Sequence, residues 1–148
     1  MYSRPIISVN RRPSAPRRTS HRRRGVAAVE FAIVAPIFFM LIIGIIEIGR
    51  AMMVQQVLIN ASRVGARRAV TLSSNEQAVT DAVVEYGNGV GISGISVAVS
   101  PNPATAAAGQ PITVDVEIDF QEVTWLPAPW FMGGKSLAAT SVMRKEGF

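Results

Sequence analysis

Few residues in this chain could do chemistry. Glu30 asks the most of its surroundings, because it abuts Phe31–Ile46, sixteen consecutive residues without a charge. A carboxylate one turn inside a membrane segment costs a few kcal/mol unless a partner meets it. At headgroup level, against the positive end of the helix dipole, that cost falls. Glu47 and Arg50 stand three apart at the far end of the run and share a helix face, which predicts a local pair worth tenths of a kcal/mol. Asp115, Glu117 and Asp119 alternate along a strand pattern; they would need further oxygens to hold calcium, and they read as the wet face of a half-buried strand. Cysteine is absent and His21 is the sole histidine. That removes thiol catalysis, disulfide frameworks, Cys/His zinc sites and the usual general base. The expectation is a structural or binding protein, not an enzyme, with no cofactor and no metal site.

Two short motifs imitate nucleotide sites. Gly89–Gly94 matches G-x-G-x-x-G, but it follows a helical pattern and precedes a strand, the reverse of a dinucleotide fingerprint, and so reads as a turn. Gly134-Lys135-Ser136 ends like a phosphate loop, yet Pro129 stands where that loop needs its first glycine.

The elements that must position these residues follow from composition and charge. Hydrophobic residues make up 49% of the 148 and charged ones 17%, which argues against a disordered chain and for a membrane segment. The net charge of +5 is uneven: residues 1–24 carry eight arginines and no acid, while the rest holds seven basic and ten acidic side chains. The arm, broken by Pro5, Pro13 and Pro16, reads as a flexible cationic leader over residues 1–25 and not as a nucleic-acid surface. Val26–Gly49 then forms a helix of about 36 Å at 1.5 Å per residue, enough to cross a bilayer. The arginine excess before it places the N-terminus in the cytoplasm and the remainder outside, in a single-pass arrangement. A secretory signal peptide fits less well, since the apolar run exceeds an h-region and residues 47–60 offer no small-x-small cleavage site. Pro36 interrupts the hydrogen-bond ladder and predicts a kink or local adjustment. Ala28, Ala32 and Ala35 form a small-residue strip suited to close helix packing.

Beyond the membrane segment, residues 50–72 continue as an amphipathic stalk. Val54, Val57, Leu58, Ala61, Val64, Gly65 and Leu72 share one face, opposite Gln56, Asn60, Arg63 and Arg67. Residues 73–148 form a small head. Capping-box spacings at Ser73/Glu76 or Ser74/Gln77 predict a second helix through Tyr86, stopped by Gly87. Ile95, Val97 and Val99, and then Ile112 to Phe120, alternate as strands, and Leu137–Met143 adds a third. Trp125, Trp130 and Phe131, in and beside the turn-rich Leu126–Gly134 loop, read either as core packing or as an interfacial anchor. The expected fold class is α+β: a long N-terminal membrane-spanning helix, continuing as the stalk, packed on a small antiparallel sheet of about three strands.

Gly25 follows three arginines and precedes four small or apolar residues, then Glu30, Phe31 and the apolar run. This arrangement resembles a type IV prepilin cleavage motif of the Flp type. Over residues 22–70 the chain is similar to the TadE-like family of pseudopilins, on the marks Gly25, Glu30, Phe31, Pro36, Glu47, Gly49 and Arg50 and the Ala/Arg-rich stretch to Val70. The resemblance implies cleavage between Gly25 and Val26 by a prepilin peptidase on the cytoplasmic face. It also implies a minor-pilin-like role in assembly of the Flp (tight adherence) pilus, possible entry into a surface fibre, and other pilins, pseudopilins, platform proteins and membrane lipid as partners, without nucleic acid. Such a cut would place a new ammonium on Val26, four residues from Glu30. The alternative is a permanently anchored single-pass envelope protein whose basic arm stays attached and whose head binds an extracytoplasmic ligand.

Overall fold

The structure, a computed structural model, describes residues 21–124 and 134–147, with side chains from Gly25 onward in the first stretch. The chain divides into two compact units, Met1–Phe39 and Met40–Phe148. In the first unit every described residue belongs to helix α1 (His21–Ala69), which continues through Pro36. From Gly25 to Phe39 the side chains are exposed, apart from half-buried Ala35. A helix apolar on all sides has no stripe to turn inward, the pattern of a lipid-facing segment. Gly25–Ala69 is long and apolar enough to cross a membrane.

The second unit joins the rest of α1 to α2 (Glu76–Gly89), β1 (Ser96–Ser100), β2 (Pro111–Asp119), α3 (Phe120–Val123) and β3 (Ser136–Arg144). The strands form an antiparallel sheet in the order β1-β2-β3. Register places Val97 opposite Val116 and Val116 opposite Ala139, so inward residues line up across all three strands. Strict alternation along β2 buries Ile112, Val114, Val116 and Ile118 completely or nearly so, and leaves Asp115, Glu117 and Asp119 exposed. Against this face α1 sets Val54, Leu58 and Ala61, and α2 sets Val79 and Val83, within one core. The stalk's apolar stripe is thus covered, as its period predicts, and the fold class is α+β.

Four details differ from the sequence reading. Helix α1 begins at His21, within the stretch read as leader, and ends at Ala69; Leu72 lies beyond it and is exposed. The second helix starts from Asn75, whose side chain accepts from the Ala78 amide at 2.8 Å. Asparagine caps as well as serine, and Ser74 is instead buried, its hydroxyl without a partner among the described residues. Gly87 does not stop α2, which runs to Gly89; it is buried where a Cβ would meet Ile95 Cδ1 at 2.4 Å. Phe120, read as the last residue of the strand, opens α3 instead, although its buried ring keeps the inward alternation of β2 and its amide donates to the Lys135 carbonyl, the next position in the β2–β3 register.

Gly65 sets the distance between α1, α2 and the sheet. A Cβ there would lie 2.7 Å from Val83 Cγ2 and 3.0 Å from Val114 Cγ1, whereas at Gly49 it would meet nothing within 4 Å. Alanine gains about 1 kcal/mol of helix propensity over glycine, but overpacking costs about 1–3 kcal/mol. Gly65→Ala is therefore expected to lower head stability by about 1 kcal/mol and Gly65→Val by more, while Gly49→Ala is neutral or stabilising. Chemical unfolding of the detergent-solubilised chain, followed by tryptophan fluorescence, checks this. Equal effects at the two glycines would refute the packing role.

Candidate functional site

Two groups of residues matter. In the first, Gly25 and Val26 lie in the opening turns of α1, both exposed. A Cβ on Gly25 would touch nothing within 4 Å, so packing does not explain the glycine. Val26 and Glu30 are four apart and share a helix face. Glu30 is exposed, and no hydrogen bond or ion pair joins it to another described side chain. Phe31 is 70% exposed on the adjoining face. The sequence motif is therefore presented outward along one helix, with nothing folded over it among the described residues.

The second group surrounds Glu47 and Arg50. Sequence spacing predicts only a local pair, but the structure carries both side chains across the chain. Glu47 is 7% exposed, and the Thr124 hydroxyl donates to its carboxylate. Half-buried Arg50 donates from Nε to the Val123 carbonyl. Both partners stand at the end of α3, whose Phe120 and Val123 are buried. A buried carboxylate is tolerable only where donors replace its water, and hydrogen bonds to charged groups contribute about 1.5–3 kcal/mol.

Further polar contacts follow the same helix. Gln55 Nε2 donates to the Ala138 carbonyl at 2.9 Å. Ser62 Oγ donates to the Ile59 carbonyl at 2.9 Å and lies 2.8 Å from Ser141 Oγ. A hydroxyl has a single proton, so Ser141 is the donor in that pair. Beyond the end of α1, Glu146 N donates to the Val70 carbonyl at 3.1 Å, and the buried Lys145 ammonium donates to the carbonyls of Thr71 at 2.7 Å and Pro103 at 3.0 Å. Sequence reasoning misses Thr124, Ser141 and Lys145 as partners. Each lies more than seventy residues from what it holds on or just beyond α1, and no local pattern announces such a pairing.

The remaining sequence candidates stay apart from these groups. Asp115, Glu117 and Asp119 form an exposed row, with Thr140 donating to Asp115. Among the described residues no group of three or more His, Cys, Asp or Glu is placed to hold a metal ion. Gly91 and Gly94 adopt positive φ in the connection from α2 to β1, as expected of a turn. Trp125, Trp130 and Phe131 lie outside the described residues.

In a comparison with protein families, residues 25–67 fit the family described as TadE-like protein. No curated protein and no solved structure matches the chain.

Removing one partner of a buried charge costs more than the bond contributes, because the other is left desolvated. Thr124→Val is therefore expected to loosen α3 from α1, raising amide exchange across Phe120–Thr124 by on the order of tenfold, the equivalent of about 1.4 kcal/mol. Exchange in β2 should stay the same. Hydrogen exchange read by mass spectrometry separates the two segments, and unchanged protection of Phe120–Thr124 would show that the contact holds nothing.

Proposed function

We propose, from the fit of residues 25–67 to the TadE-like family, that the chain is a pseudopilin-like component of Tad/Flp pilus assembly, processed after Gly25. The observation that carries the reading is the family match itself, which begins at Gly25 and covers Glu30, Phe31, Pro36, Glu47 and Arg50. The apolar helix supports anchoring by a single membrane pass. The eight arginines before it support a cytoplasmic N-terminus. The role is assembly and not catalysis: the chain acts through what its helix and head touch. Its partners on this reading are a prepilin peptidase, other pilins or pseudopilins, platform proteins and lipid.

Processing and helix geometry fit together on this view. The bond between Gly25 and Val26 lies in the helical N-terminal end of α1, so the peptidase must open that turn before cutting. Glycine is the residue, after proline, that helices hold least well, by about 1 kcal/mol relative to alanine. Because its Cβ would meet no neighbour, the glycine serves the peptidase and not the fold. Removal of the arginine arm leaves the Val26 ammonium as the new helix terminus. It then offsets the cost of Glu30 within the membrane, in the same chain or in a neighbour offset along the helix axis.

Membrane-fraction protein is expected to begin at Val26, as read by intact mass. Gly25→Phe should leave the leader attached, because a bulky side chain does not fit beside the scissile bond. Full-length Met1–Phe148 in cells that make the peptidase would favour the permanently anchored reading instead. Glu30→Gln keeps the shape and removes the charge, so surface pilus yield should fall severalfold while the protein remains processed and membrane-bound. Unchanged yield at normal protein level would remove the charge pair and leave the family assignment standing.

A further inference from the structure

In sequence the apolar helix ends at Glu47 and Arg50, the first charges after Phe31–Ile46, and a membrane boundary is naturally drawn there. The side-chain geometry removes that reason. Glu47 is buried against Thr124, Arg50 reaches the Val123 carbonyl, and Gln55 turns its amide to Ala138. All three polar groups face the head. The outward face keeps Ile45, Ile46 and Ile48 and continues through Met52 at 69% and Met53 at 57% exposure. The next exposed residue is polar Gln56, followed about two turns later by exposed Arg63.

Beside this face runs a shallow groove lined by Ile48, Ala51, Met52, Gln55, Gln56 and, from β3, Leu137. An exposed apolar strip continuous with a membrane segment needs cover, and the cover already present on that segment is lipid. At 1.5 Å per residue the 28 residues 26–53 amount to a helical length of about 42 Å, against about 40–45 Å for a bilayer counted with its headgroup zones. Methionine suits such a place, since its flexible thioether adapts to irregular neighbours.

We infer that the base of the head is itself a lipid-contacting surface: the outer headgroup zone reaches Met52 and Met53, and Ile48 and Leu137 border phospholipid. Glu47 and Arg50 lie at headgroup depth with their polar groups turned into the head. The bilayer's outer limit is Gln56, a turn and a half beyond the charges that mark it in sequence. This inference rests on the membrane-anchored reading above, and its test separates the two.

The chain contains no cysteine, so single cysteines at Ile43, Met53 and Asn60 of the full chain can each carry an environment-sensitive fluorophore. Met53 lies outside the buried core, so Met53→Cys leaves the head's packing intact. The labelled chain is reconstituted into phosphatidylcholine/phosphatidylglycerol vesicles containing lipids with a nitroxide at headgroup or shallow acyl depth. Iodide serves as the aqueous quencher. Nitroxide quenching at Met53 should exceed that at Asn60 by at least about threefold, since seven residues of helix, about 10 Å, separate them. Iodide should show the reverse order. A Met53 probe that behaves like Asn60 while Ile43 remains lipid-quenched overturns the inference and leaves membrane anchoring standing. Loss of lipid quenching at Ile43 as well overturns the anchoring itself.

Discussion

One row of hydrogen bonds along α1 holds the second unit together, and the rest of that unit depends on it. Glu47 meets Thr124, Arg50 meets Val123, Gln55 meets Ala138 and Ser62 meets Ser141; past the helix end, Thr71 and Val70 meet Lys145 and Glu146. From Gln55 with Ala138 to Ser62 with Ser141 and on to Thr71 with Lys145, the partners rise in number as the α1 side does, so β3 ascends beside α1. The apolar stripe supplies the burial, but burial is non-directional. The polar row fixes where each strand residue stops. A one-residue slip of β3 would turn Leu137, Ala139 and Met143 outward and leave the Glu47 carboxylate and the Lys145 ammonium to find new partners.

The same row explains how charged residues serve at the end of a long apolar helix. Charge placed on the outward face would end the lipid-compatible surface at once. Charge turned inward must be matched by the fold, and the short helix α3 does this by presenting a hydroxyl and a carbonyl side by side, at Thr124 and Val123. Phe120 and Val123, both buried, anchor that turn in the core. Apolar packing thus positions two polar groups, and those groups allow Glu47 and Arg50 to be ionic without facing outward.

What sequence makes legible is whatever repeats over a short distance. The period of Val54, Leu58, Ala61 and Gly65 reveals a helix face, and Ile112 through Ile118 reveals a half-buried strand, because each pattern is set by local geometry. The motif from Gly25 to Phe31 is legible for the same reason. Errors fall where a long-range contact decides between locally equal options. Ser73, Ser74 and Asn75 can each cap a helix, and burial of Ser74 leaves Asn75 to do so. Gly87 looks like a stop, but Ile95 requires a glycine there for space. Glu47 and Arg50 look like a pair because their spacing is all that the sequence shows; their partners arrive seventy residues later.

The chemistry of that docking also bears on how little it asks of the head. The helix residues that make it, Glu47, Arg50, Gln55 and Ser62, all lie within the stretch 25–67 that carries the family likeness. Two of the groups they meet are backbone carbonyls, at Val123 and Ala138, and every residue supplies a carbonyl. The other two are hydroxyls, at Thr124 and Ser141, small groups that fit a turn or a strand with little demand on their neighbours. A helix that addresses backbone and hydroxyl groups specifies the path of the chain beside it far more than its side chains. The head's outer surface, including the acidic row at Asp115, Glu117 and Asp119, is then free of the docking requirement and open to whatever contacts assembly imposes.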